Sequence, residues 1–561
     1  MRTSMAAWDA IIGCFQSWGV QYIFGLPGDD LKILSSLPSS DIRFILCRDQ
    51  RNSLFMASGY ALTSGQLAVC IVGKGPALTN TVTGLLEAQN LGVPLLLIAS
   101  GTGSEKLGTK AFQEADQLSV VKPLVNWAYR VEHPDRLVWA LEKAAFMAVN
   151  GGKGPVYLEL PEHVAEQTVL VNLPFPKLKR LTCSPSSYEL DAAWAALQQS
   201  RRPVILIGGG MKPGLRGSIE PLAAQLGAAM FTTASGRGAV DEEDPLFCGV
   251  AGLYTDSSIR RIWEEADVVL TLGSRLEETA TFEWDVLLEH TPVIQVNVNV
   301  NDFSHQYRGD KVLGDGYSAV GHWLSRIHRQ PDQAWLNRIA DCKREAFRKK
   351  EAYMDLVKKR AAIHVSEVLD VLQTAFPEDC ILVQENGLQD MWSYFYPYYR
   401  FTGNSLSIVP SDQTSLGFGA AAAVGASVAD RRPVVALVGD GAFNLFKSDF
   451  ITAVQYRIPL IYLVMSNGGY GWLQYQLNQL NFEDKPFQFV SDTPLEHMNV
   501  VEHEHVEQIV IHEKEELSAK LQLAYSKFQR NKLVVVMIPV GLEDVHEKIR
   551  HIYGDFPVYE K

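Results

Sequence analysis

Short runs of Val, Ile and Leu recur along the chain, at Leu67–Val72, Val93–Ala99, Val204–Ile207, Val268–Leu272, Val434–Val438, Leu460–Met465 and Leu533–Ile538. They are apolar at odd and even positions alike, and glycine-bearing turns and amphipathic or Ala-rich stretches follow them. A strand buried on one face alternates, whereas a strand buried on both does not, so these runs predict parallel sheets covered by helices. The fold class is α/β.

Two seams interrupt the pattern. Residues 174–187 form a Pro/Ser/Lys stretch, and near 330–360 lies a charged segment, CKREAFRKKEAYMDLVKKR, with helical spacing and no strand. Read as linkers, they divide the chain into three doubly wound domains, 1–178, 186–328 and 362–545. The first and last thirds share a strand-Gly-helix rhythm.

Length agrees, since 561 residues at roughly 150 per domain make three or four domains. With 47% apolar and 20% charged residues, the chain can fill several cores and has no disorder signature. Its 51 Lys and Arg against 64 Asp and Glu leave a net charge of −13, which would repel a phosphate backbone, so nucleic acid is not an expected partner. Met1 to Trp8 lacks a basic segment followed by an apolar one, and nowhere do eighteen uncharged apolar residues run together. A cytoplasmic protein without membrane insertion is the expectation. Seven cysteines, at 14, 47, 70, 183, 248, 342 and 380, never form C-x-x-C and are expected as reduced, mostly buried thiols.

The last third carries the clearest chemistry. Gly439-Asp440-Gly441-Ala442-Phe443 follows one predicted strand, and Ser466-Asn467-Gly468-Gly469-Tyr470 follows the next. One crossover helix brings both strand tips to the same sheet edge, where ligands of open α/β folds bind. Asp440, Asn467 and a backbone carbonyl form an all-oxygen set suited to Mg²⁺, completed by phosphates. Glycines 439 and 441 allow a diphosphate to approach, and the helix beginning near Phe443 offers it free N–H groups. Alone, Gly-Asp-Gly is a common turn, and the Asn after a second strand is what distinguishes it.

On these residues the sequence resembles the thiamine-diphosphate enzymes of the acetohydroxyacid (acetolactate) synthase, pyruvate oxidase and pyruvate decarboxylase superfamily. The resemblance implies pyrimidine-binding, central Rossmann-like and diphosphate-binding domains in that order. It implies that Asp440, Asn467 and the Gly469 carbonyl hold Mg²⁺, with Gly439, Gly441, Ala442 and Tyr470 around the cofactor; Ser466 replaces the family's first Asn. Gln413-Thr414-Ser415-Leu416-Gly417-Phe418-Gly419 is similar to the family segment in which an apolar wedge bends the cofactor, placing Leu416 under the thiazolium and the Thr414 carbonyl at the 4′-amino group. Taken alone, Leu416 is simply a core leucine. Glu385-Asn386-Gly387, followed by Gln389-Asp390-Met391-Trp392, resembles the strand-end loop near the diphosphate. Phe24 to Asp30 and Lys74 to Asn80 resemble the family's G-x-P-G and SGPGxTN segments. Ala111-Phe112-Gln113-Glu114-Ala115-Asp116 matches the synthase and oxidase pattern, with Phe112 and Gln113 facing the second substrate. Asp29 is either a pocket acid, as in the decarboxylases, or a solvated loop carboxylate.

The most consequential departure lies nine residues before Gly59-Tyr60-Ala61. There the family places a glutamate against N1′ of the pyrimidine, and this chain has Gln50. An amide can hold the ring but cannot donate and recover a proton, a loss of typically about 10²–10⁴ in rate. Asp49 would need a local bulge to substitute. Tolerance of the loss, as in glyoxylate carboligase, protection of the reaction from stray protonation, and a non-catalytic homologue all stay open.

Elsewhere, Trp472 and Leu473 occupy positions that in relatives face the substrate side chain, and helix packing is the rival reading for Trp472. FAD is left open: Gly273-Ser274-Arg275-Leu276-Glu277-Glu278 resembles a flavin-contacting element, but Val296-Asn297-Val298-Asn299 replaces the usual acidic cluster and argues against it. His503-Glu504-His505 is read as a solvated face rather than a metal site. The resemblance thus implies a ThDP- and Mg²⁺-dependent carboligase passing an acyl carbanion from a 2-keto acid to a carbonyl acceptor, as a homodimer or homotetramer. Decarboxylation without ligation is the alternative, alongside the non-catalytic one.

Overall fold

The apolar runs become inner strands of three six-stranded sheets in the computed structural model, which describes residues 2–28, 32–212, 217–326, 330–480, 486–488, 501–541 and 544–554. Strands such as Ala68–Val72, Pro203–Ile207, Val268–Leu272 and Ile461–Ser466 are buried at every position, as covering on both faces requires. Within the three sheets every neighbouring pair is parallel. Numbered in chain order within each sheet, the middle sheet runs 3-2-1-4-5-6, the doubly wound dinucleotide order, while the first and last both run 2-1-3-4-6-5. The rhythm shared by the outer thirds is therefore a shared topology. An antiparallel ribbon, Arg2–Ala6 against Thr168–Asn172, adds to these sheets.

The charged segment is not a bare linker. Gln333–Val357 is a 25-residue helix, capped by Asp332, whose carboxylate accepts from the N–H groups of Ala334 and Trp335. It buries Trp335, Ile339, Cys342 and Ala346 along one stripe. Residues 174–186 form neither helix nor strand. Among the described residues no helix is long and apolar enough to cross a membrane. All seven cysteines are free thiols, with only Cys183 exposed.

Contacts sort the chain into two compact units. One comprises 1–181, 413–431 and 445–458; the other comprises 182–412, 432–444 and 459–561. In the second, a fully buried Arg237 meets Glu242 through two hydrogen bonds, of 3.0 and 2.6 Å, and donates to the carbonyls of Ser393 and Tyr399. It thereby anchors the end of the helix Leu388–Tyr394.

In the first unit the helices Gln50–Ser64 and Phe418–Ala429 meet backbone to backbone. A Cβ on Gly59 would stand 2.0 Å from the Ala422 carbonyl oxygen, and one on Gly425 would stand 1.7 Å from that of Met56. Only glycine permits that approach. Gly425→Ala is therefore expected to lose about 1–3 kcal/mol or more to overpacking. Gly321→Ala, in the helix Gly316–Leu324 with no atom within 4 Å of the added methyl, should gain about 0.5–1 kcal/mol. Denaturant titration of the two variants checks the opposite signs.

Candidate functional site

The parallel neighbours Val434–Gly439 and Ile461–Ser466 end on the same sheet edge. Asp440 follows the first and is only 2% exposed. Its Oδ2 accepts from Ser466 Oγ at 3.1 Å and from the Gly468 N–H at 2.9 Å, and its Oδ1 accepts from the Gly441 N–H at 2.8 Å. Burial pushes the Asp440 carboxyl above the usual carboxylate range, and these donors work against that shift. Asn467 follows the second strand, its Oδ1 accepting from the Gly469 N–H at 3.3 Å. A bridge from Gly469 to Gln488 and a 2.9 Å hydrogen bond from the Tyr470 N–H to the Phe487 carbonyl brace this turn. Asp440, Asn467 and Gly469 are thus gathered at one rim. Ser466, read only as a departure from the family pattern, helps to hold the carboxylate.

The donor set fits a hard cation. A carboxylate, an amide oxygen and a peptide carbonyl are what Mg²⁺ takes, and a buried carboxylate with only neutral donors around it has charge left to satisfy. The helix Asp440–Gln455 starts here, so the Ala442 N–H belongs to its first turn as an anion site would need, while the Gly441 N–H is taken by Asp440 Oδ1.

Across the sheet's switch point lies the end of Ile381–Gln384. The Glu385 N–H donates to the Leu437 carbonyl at 3.0 Å, extending the pairing, and its buried carboxylate accepts from the Asn386 N–H at 3.2 Å. Gln389 donates to the Glu385 carbonyl at 3.0 Å, and its side chain lies 3.6 Å from where a Gly439 Cβ would be. The turns at 385–387 and 439–442 therefore adjoin. Asp390 fastens the first by accepting from the Gly387 N–H, and burial raises its carboxyl to about 8. Trp472 stacks on Tyr475, centroids 5.7 Å apart, and packs against the core of this unit. Leu473, 41% exposed, is the member of the pair that faces outward.

In the first unit, Gln50 opens the helix Gln50–Ser64 and is half-buried, its Oε1 accepting from Asn80 Nδ2 at 2.8 Å. Asp49 does not bulge. It is the helix cap, its Oδ1 accepting from the N–H groups of Arg51 and Asn52. Thr414 has φ 45°, a strained value of the kind found at functional turns. The next N–H, of Ser415, donates at 3.1 Å to the fully buried carboxylate of Glu87, a residue that no motif in the sequence singles out. Leu416 is half-buried. Gly59 meets Ala422 while Met56 meets Gly425, so the two helices run antiparallel. Gln50 opens one helix of the pair, and Leu416 lies in the turn that precedes the other.

Phe112 is 70% exposed, and Gln113 has φ 56°. Their loop rests on Gly75, where a Cβ would come 2.6 Å from the Gln113 carbonyl oxygen. Glu114 organises it, accepting from the N–H groups of Gly108 and Ala111, and these bonds hold its carboxyl below the usual range. Asp29 lies outside the described residues.

In the middle sheet, Asn297 donates to the Ser274 carbonyl and accepts from the Asn299 N–H, so both replacements in the expected acidic cluster take part in turn closure. Arg275 pairs with Glu277. The solvated-face reading holds for His503, but His505 is 7% exposed and its carbonyl accepts from the Leu533 N–H as the edge strand Val506–Val510 begins. Among the described residues no three His, Cys, Asp or Glu side chains cluster as metal ligands.

Glu114→Gln is expected to speed amide exchange at Gly108 and Ala111 about tenfold, the loss of a charge-assisted bond. In the native loop the same protection should persist above the ordinary glutamate range and fade as pH falls through the lowered Glu114 value. Hydrogen-deuterium exchange across pH reads both.

Comparison with known families gives three matches in order along the chain. Residues 5–120 match the thiamine pyrophosphate enzyme N-terminal TPP-binding domain, 190–319 the central domain, and 386–538 the C-terminal TPP-binding domain. Among similar proteins, the probable acetolactate synthase large subunit of Methanocaldococcus jannaschii is 26% identical, over 84% of this chain and 82% of that one. The acetolactate synthase isozyme 2 large subunit of Escherichia coli K12 is 26% identical, over 85% of each. The acetolactate synthase large subunit of Haemophilus influenzae is 24% identical, over 97% of this chain and 95% of its own.

Proposed function

We propose that this chain, which belongs to the thiamine pyrophosphate enzyme family, is a thiamine diphosphate- and Mg²⁺-dependent carboligase joining a 2-keto acid to a carbonyl acceptor. The observation that carries the reading is the buried Asp440 carboxylate, clasped by Ser466 and Gly468 at the tips of two adjacent parallel strands. In this reading Asp440, Asn467 and the Gly469 carbonyl hold the metal. Gly441 and Ala442 meet the diphosphate, and Glu385 to Gly387 with Gly439 wall the same crevice. Gln50, Thr414, Leu416 and Tyr470 surround the rings, while Phe112, Gln113 and Leu473 meet the substrates. Domains 1–178, 186–328 and 362–545 are then pyrimidine-binding, central and diphosphate-binding.

Bound thiamine diphosphate supplies the electron sink that lets a 2-keto acid lose CO₂. The chain's residues orient it and select the acceptor. Gln50 has no acidic proton to transfer, which disfavours protonation as the end of the reaction and favours a carbonyl acceptor. A homodimer or a homotetramer belongs to the same reading, because the resemblance implies a site shared between the first domain of one subunit and the third of its partner.

With Mg²⁺ and thiamine diphosphate, the protein should release CO₂ from pyruvate and yield acetolactate or acetoin in excess over acetaldehyde. Excess acetaldehyde would favour simple decarboxylation, and absence of CO₂ from a panel of 2-keto acids would sink both. By calorimetry, Ser466→Ala should weaken Mg²⁺-dependent cofactor binding about 10–100-fold, and Asp440→Ala more.

A further inference from the structure

Gln50 presents an amide, and an amide has two unlike ends. Which end faces outward decides what it can hold. The hydrogen bonds around it settle the matter through the chemistry of their partners. Asp49 Oδ1 accepts from the Arg51 and Asn52 N–H groups at 2.8 and 3.3 Å, and a carboxylate oxygen in that role has no proton to offer. The Asn80 atom 3.5 Å from it is accordingly the amide nitrogen. The same Nδ2 stands 2.8 Å from Gln50, so the Gln50 atom it meets is the oxygen. Turning the Gln50 amide over would set donor against donor. Its oxygen is thus engaged by Asn80, and its Nε2 is the end left for a ligand.

We propose that Asp49 and Asn80 form a positioning relay that fixes Gln50 as a hydrogen-bond donor toward an unprotonated ring nitrogen, N1′ of the aminopyrimidine of thiamine diphosphate. The proposal rests on the reading of Gln50 as the residue against that ring. A glutamate at this place donates or accepts according to its ionisation, whereas an amide held from behind by Asn80 only donates. N1′ is therefore kept neutral, and position 50 adds no titration of its own to cofactor binding. Asn80 touches neither cofactor nor substrate in this scheme and acts through Gln50 alone. Asp49 serves both as helix cap and as the fixed acceptor that orients Asn80.

The test compares, by calorimetry with Mg²⁺, thiamine diphosphate and the analogue in which C–H replaces N1′. The native protein should prefer the cofactor by about tenfold, the worth of one donor bond to a nitrogen acceptor. Gln50→Leu should abolish the preference, and Asn80→Leu should lose most of it while binding the analogue as tightly as the native protein does. Asn80→Ser, whose hydroxyl dictates no direction, should show the same loss and serves if the leucine variant folds poorly. Gln50→Glu should introduce a pH dependence absent from the native protein, with cofactor binding weakening as pH rises through the new carboxyl's titration. If the native protein binds neither compound, the thiamine diphosphate reading itself falls. Equal binding of both by the native protein leaves that reading standing and overturns the relay. An undiminished preference in both Asn80 variants overturns the part given to Asn80.

Discussion

Two helices pressed together until main chain meets main chain set the conditions for everything the first unit does. Gly59 and Gly425 face the backbone at Ala422 and Met56, and any side chain there would force the helices apart. The helices are equivalent parts of two sheets with the same 2-1-3-4-6-5 order, each following its sheet's second strand. The turns that start them carry Asp49 and Gln50 on one and Thr414 to Gly417 on the other. Packing and chemistry are thus coupled: the crossing that fixes the helix axes also fixes where these turns can be. A ring contact between Phe55 and Phe418, centroids 5.5 Å apart and nearly perpendicular, adds a second contact between the two helices.

Strand burial made most of this architecture legible. Runs that are apolar at every position announce parallel sheets because helices cover both faces. The edge strands Arg43–Leu46, Trp127–Arg130, Lys311–Leu313 and Val506–Val510 lack that signal, since an edge is half solvated and its pattern is mixed. The helical spacing within Gln333–Val357 is legible, but the segment reads as a linker because its many Lys, Arg, Glu and Asp residues obscure a stripe of six buried side chains.

At the candidate site the division falls differently. Asp440 and Asn467 could be found because each follows its own strand and the parallel pairing does the rest. Glu87, Gln389, Ser466 and Asn80 could not be assigned roles from the sequence, because each acts on a partner that only folding supplies. Glu87 reaches Ser415 across 328 positions, and Asn80 reaches Gln50 across 30. Asp49 shows the converse. Its neighbourhood to Gln50 suggested chemistry, whereas its place just before the first helical residue, with two N–H groups to satisfy, makes it a cap. Trp472, half-buried, stacks on Tyr475 and packs against the core, contacts that only folding supplies.

The two departures from the family pattern also differ in what they remove. Ser466 replaces an amide yet keeps a hydrogen bond to Asp440, so the rim is preserved while one donor is shortened. Gln50 keeps the shape of a glutamate and a partner for its oxygen, yet cannot ionise. A chain freed from cofactor binding would have no physical reason to hold the Asp440 carboxylate 2% exposed among neutral donors, because desolvating that charge opposes folding and an apolar side chain would fill the place at lower cost. Retention of the buried acid, with its oxygens directed by Ser466, Gly441 and Gly468, is the arrangement expected where a cation completes the site. In the proposed reading, loss of the ionisable proton at position 50 bears on the course of the reaction and not on the rim that holds the metal.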